Sequence, residues 1–135
     1  MNKYIRDTIR SALAIINGGE ILIEKHLMFY ILNDDKTYTP CTLNEWMEQF
    51  VKVKQRIVRQ TNYNEYFIST VWLGLDHQYS PDENAPPLVF ETMIFHRSNR
   101  GVDIYCDRYT TYQEALDGHE KALDWVKHYH GETCL

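Results

Sequence analysis

"FISTVWLGLDHQYSPDENAPPLVFETMIF", residues 67–95, decides the fold: two apolar runs face each other across a polar, proline-bearing loop. The first run, from Tyr66 to Leu75, is rich in β-branched and aromatic residues and reads as a strand. Successive strand side chains point to opposite sides. Phe67, Ser69, Val71, Leu73 and Leu75 therefore share one face, and Tyr66, Ile68, Thr70, Trp72, Gly74 and Asp76 the other. The second run, Leu88 to Phe95, sets Glu91 on one face with Val89, Met93 and Phe95. Pro86 and Pro87 hold the exit of the loop extended and cannot donate ladder hydrogen bonds. A third run, Val102 to Thr110, follows "SNRG", and three strands joined by short links favour an antiparallel meander.

The flanks supply helices. Leu43, Trp46, Met47, Phe50, Val53 and Ile57 trace one apolar face, which predicts a helix over about 43–60, started by a capping box of Thr42 with Glu45. Thr111 with Glu114 repeats that signature, and Tyr112, Leu116, His119, Leu123 and Val126 form the stripe of a last helix. Ahead of Gly18, Ile5, Ile9, Ala12, Leu13 and Ile16 predict a first short helix, and "EILIEKHLMFYIL" one bent strand or two short ones. The expectation is an α+β fold in one domain spanning 1–135. It is an antiparallel sheet, a meander of about three to five strands, with helices packed on one face.

At 135 residues, 44% apolar and 24% charged, the chain has the composition of a globular domain. A net charge of -5 opposes non-specific nucleic-acid binding, which needs an excess of Lys and Arg. Cys41, Cys106 and Cys134 fit neither a disulfide framework nor a metal knuckle, so a reducing cytosol is expected. No segment reads as a signal peptide or a membrane span, and no membrane partner is expected.

Two ionisable residues stand out because their neighbours are apolar. Glu91 sits among Val89, Met93 and Phe95, and His119 occupies the centre of the last helix's apolar stripe. If that helix covers the sheet, the two could meet as a hydrogen-bonded pair, with Asp76 and His77 at a strand end completing a polar pocket. Such groups can perform acid–base chemistry or hold a divalent metal. Their spacing matches no compact metal motif, and a structural network is the competing reading. On the third strand Asp103, Tyr105, Asp107 and Tyr109 share a face, and Arg97, Arg100 and Arg108 lie close in sequence. Tyrosines would suit an interface and arginines a phosphate or carboxylate, so Arg97, Arg100, Tyr105, Arg108 and Tyr109 are candidate ligand-binding residues. The absence of a Walker loop, GxGxxG or GxSxG removes the simplest nucleotide-enzyme and serine-hydrolase readings. No cofactor is expected.

"STVWLGLDH", "PPLVFETMIF" and "YTTYQEALDGH" together resemble segments of an uncharacterised family of small phage and prophage proteins, and "YILNDDKTYTPCTLNEWMEQF" is similar to that family's acidic turn and Trp-bearing helix. The resemblance spans about residues 27–126, leaving 1–26 as an N-terminal helical extension to a core of 27–127. It implicates Thr70, Gly74, Asp76, His77, Pro86, Pro87, Glu91, Thr92, Met93, Gly118 and His119. This chain departs in its longer loop before the proline pair and in its polar "RSNRG". The resemblance implies a phage gene and supplies no activity; taken with the tyrosine-bearing third strand and the absence of a strong catalytic motif, the expectation is a non-enzymatic phage accessory protein of the host cytoplasm that binds a host protein or a small nucleotide-like ligand. Counter-defence, as an anti-CRISPR or signal-sequestering protein, is one such role. A small hydrolase or metal enzyme built on Asp76, His77, Glu91 and His119 is the alternative, and a structural or virion-associated protein the third; homo-oligomerisation stays open.

Overall fold

The structure, a computed structural model, describes residues 28–76 and 84–129. The expected first helix, the early part of the "EILIEKHLMFYIL" strand and His77 lie outside the described residues. In chain order the elements are β1 (Met28–Leu32), β2 (Tyr38–Pro40), α1 (Leu43–Phe50), α2 (Val53–Arg56), β3 (Ile57–Tyr63), β4 (Tyr66–Trp72), β5 (Leu75–Asp76), β6 (Phe90–His96), β7 (Asn99–Tyr109) and α3 (Tyr112–Lys127). The main sheet has the order β3-β4-β6-β7 and is antiparallel throughout, so the meander and the α+β class are as expected. A smaller sheet, β2-β1-β5, stands beside it.

Gly74 is the corner between the two sheets. The chain leaves the main sheet after Trp72, where the amides of Leu73 and Gly74 both donate to the Val89 carbonyl, and then pairs with β1 as β5. The turn needs a positive φ of 67° at Gly74. A Cβ there would lie 2.8 Å from the Tyr30 carbonyl and from Trp72 Nε1, and 2.9 Å from Trp46 Nε1. Glycine answers both demands, since it has no side chain to clash and no penalty for a left-handed backbone.

The helix expected over 43–60 is shorter than its apolar stripe. Thr42 and Glu45 form the capping box, and Trp46 and Phe50 are buried, but α1 stops at Phe50. After the single turn of α2 the chain becomes β3, which pairs with β4 through the two-residue link Asn64-Glu65, with Asn64 at φ 51°. Val53 and Ile57 continue the helical spacing, yet both are exposed. The reason is that "IVRQTNY" is β-branched and aromatic, and its backbone gains a ladder to β4, irregular only between Ile57 and Arg59, in place of one more helical turn.

Helix α3 covers one face of the main sheet. Ala115, Ala122 and Val126 pack against Tyr66, Ile68, Trp72, Phe90 and Ile94. Thr111 caps it by accepting from the Glu114 amide at 3.1 Å. Helix α1 instead supports the smaller sheet, where Trp46 and Phe50 cluster with Phe29 and Leu75 and reach Val71. The Trp46 indole donates to the Leu73 carbonyl at 2.9 Å and so ties α1 to the corner.

Candidate functional site

Residue parity across the main sheet places the two ionisable core residues on different sides. Thr70 lies opposite Thr92, and Val71 lies opposite Glu91, which in turn pairs with Arg108. Neighbouring strand positions face opposite ways, so Thr70 and Thr92 point toward α3 and Glu91 points away from it. The expected Glu91–His119 pair is therefore not formed. What decides this is that α3 packs over the even-numbered positions of β4 and β6.

His119, fully buried, is held by threonines from two strands. Its Nδ1 lies 2.7 Å from Thr70 Oγ1 and its Nε2 2.9 Å from Thr61 Oγ1, and Thr70 Oγ1 is 2.5 Å from Thr92 Oγ1. Burial, with the positive charge of Arg59, lowers the imidazole pKa, so the ring is neutral and one nitrogen donates while the other accepts. Every polar atom of this imidazole is then satisfied inside the fold. Replacing His119 with glutamine should cost about 2 kcal/mol in urea unfolding, because the shorter amide cannot serve both hydroxyls. An unchanged midpoint would show that the threonine contacts carry no stability.

Glu91 is 1% exposed, and its Oε2 accepts from Arg108 Nε at 3.0 Å and from the Cys106 thiol at 3.6 Å. Burial pushes the carboxyl up to about 8, against the pull of the thiol hydrogen bond, and Asp103 adds to the rise. The Cys106 thiol is pushed up to about 12 by burial and by Glu91, which keeps it protonated and a hydrogen-bond donor. Arg108, placed by sequence among ligand-binding candidates, is thus engaged by the buried carboxyl group of Glu91.

The other candidates scatter. Asp76 belongs to the smaller sheet, where its carboxylate reaches the Leu88 amide at 3.5 Å and its charge helps raise the Tyr30 pKa, mainly a burial effect. Arg97 braces the β3–β4 hairpin, donating to the Asn64 carbonyl at 3.2 Å, and Arg100 lies over the Phe67 ring. Tyr109 is buried, its ring against the backbone of Gly118 in α3. Its place is in the core rather than on a binding surface. Among the described residues no three His, Cys, Asp or Glu side chains are grouped to hold a metal, and no helix is long and apolar enough to cross a membrane.

Among the sequence-derived candidates Arg97 and Arg100 are exposed, and Tyr105, partly buried, joins a series of rings at the surface. Tyr105 of the edge strand β7 packs its ring against Trp125 at 5.1 Å, and Trp125 stacks on Tyr129 at 4.8 Å with 21° between planes. Tyr66 backs Tyr129 from the core at 5.9 Å. Trp125 is 39% exposed, and Asp103, Asp107 and Asp124 are exposed nearby in sequence. Trp125 and Tyr129 escaped the sequence reading, although an aromatic pair four residues apart across the C-terminal end of α3, which closes at Lys127, was a usable signal. No protein-family model, curated protein or solved structure matches the chain.

Proposed function

We propose that this protein is a small phage accessory protein that works by binding a host protein and performs no chemistry of its own. The observation that supports this best is the partly exposed ring series Tyr105–Trp125–Tyr129 running from the edge strand to the end of α3. Tyr and Trp are over-represented among residues that dominate interface energetics, because a large rigid ring buries much area at little entropic cost. Here the rings are pre-ordered by packing on each other and by the edge-to-face contact of Tyr129 with Tyr66, so little freedom is lost on association. The engagement of Glu91 by Arg108 and of His119 by threonines favours a structural role for both and weakens the enzyme alternative.

The test is native mass spectrometry of the tagged full chain purified from bacterial host cells, beside the variant Trp125→Ala. The expected result is a stoichiometric complex with one host protein, weakened about thirtyfold by the substitution, as for a hot-spot residue worth about 2 kcal/mol. A bare chain mass sinks the proposal, as does a small-molecule mass excess in place of a protein partner.

A further inference from the structure

We infer that the corner formed by residues 51–57 is a second docking element, specific for an acidic segment of a partner protein whose carboxylate meets the Arg56 guanidinium while its apolar side chains cover Val51, Val53 and Ile57. It goes beyond the aromatic ridge and does not depend on it.

Arg56 is 6% exposed, and its Nε is buried with no hydrogen-bond partner. The guanidinium lies over the Phe50 ring, 4.0 Å from the centroid. A buried cation without an anion is costly, and a cation–π contact offsets only part of that cost. The two ion pairs among the described residues are Arg59–Glu120 and Arg108–Glu91, so no acid of the described chain neutralises Arg56. Burial accordingly lowers its pKa, with no acidic neighbour contributing.

The surroundings identify the missing group. No Asp or Glu occurs between Glu48 and Glu65, whereas Lys52, Lys54, Arg56 and Arg59 all do, in a chain whose net charge is -5. Lys52 and Lys54 are exposed and stand on either side of exposed Val53, and Val51 is 73% exposed. A free phosphate would match the cations but would leave three apolar side chains in water. An acidic protein segment carrying aliphatic residues matches both, with a planar carboxylate suited to the guanidinium fork.

The test uses the full chain with ¹⁵N-labelled arginine and three probes: a blocked pentapeptide alternating valine and glutamate, its glutamine counterpart, and inorganic phosphate. The Nε–Hε resonance that disappears in Arg56→Met belongs to Arg56. It should move saturably with the glutamate peptide and stay in place with the glutamine peptide. Arg56→Met should weaken the glutamate peptide about tenfold or more and should melt above the wild type, since a buried unpaired charge is gone. The exposed change Lys54→Glu should also lower the affinity, and it keeps the test open if Arg56→Met fails to fold. An Arg56 resonance unmoved by the glutamate peptide, or moved equally by the glutamine peptide, overturns the inference. A stronger response to phosphate than to either peptide overturns the choice of a protein carboxylate. A host partner held equally by wild type and Arg56→Met also overturns it, while leaving the binding function above intact.

Discussion

Gly118→Ala should destabilise the protein by about 3 kcal/mol, although alanine is the better helix former by about 1 kcal/mol. Gly118 lies inside α3, and a Cβ there would fall within the Tyr109 ring, against Cζ, Cε1 and Oη. Tyr109 cannot withdraw freely, because it is buried in the cluster of Trp72, Val89, Phe90 and Ala115. The clash is therefore relieved only by lifting α3 from the sheet or by forcing the ring off its rotamer, and either disturbs the layer that holds His119. Urea unfolding measures the loss. Tyr109→Ala combined with Gly118→Ala should cost less than the sum of the single changes, since each removes one side of the same conflict. Gly118→Ala alone raising the midpoint would show that helix propensity outweighs packing here.

The second large effect belongs to Glu91. Its carboxyl titrates near 8 in the folded protein, pushed up by burial, against 4.5 for the free group. Between those values the folded state holds a proton that the unfolded chain has released. Stability is therefore greatest below about pH 4.5 as far as this group is concerned, and falls as pH rises through 8. The full shift corresponds to at most about 5 kcal/mol. Arg108 at 3.0 Å favours the charged form and makes the real fall smaller. Glu91→Gln should flatten the stability profile between pH 5 and 8. Glu91→Ala should cost on the order of 3 kcal/mol at neutral pH, because Arg108, Cys106 and the space around the carboxyl lose their partner. Identical pH slopes for wild type and Glu91→Gln would show that the carboxyl is already ionised at pH 5.

Much of this architecture is legible from local pattern. The parity of residues 66–76 placed Thr70 and Trp72 on one face and Val71 on the other, and the two Thr-x-x-Glu boxes marked the starts of α1 and α3. Such features depend on neighbours a few residues apart. The same locality misled over residues 57–60, where helical spacing and strand alternation overlap and only pairing with β4 chose between them. It also left Arg56 unremarked, since a cation in a basic stretch reads as solvated until the fold buries it on Phe50.

The sequence by itself determined most of the strand content, the α1 and α3 starts and the oddity of Glu91 and His119, but it read residues 66–75 as one strand, which the positive φ of Gly74 breaks into β4 and β5 of different sheets. Tertiary structure alone decided the companions of Glu91 and His119: which side of the sheet α3 covers, hence that His119 meets Thr61 and Thr70 while Glu91 meets Arg108. The physical reason is that parity orders side chains along each strand but carries no information about which face a distant helix will bury. That choice follows from long-range fit, here the flat seat that Gly118 offers to the Tyr109 ring.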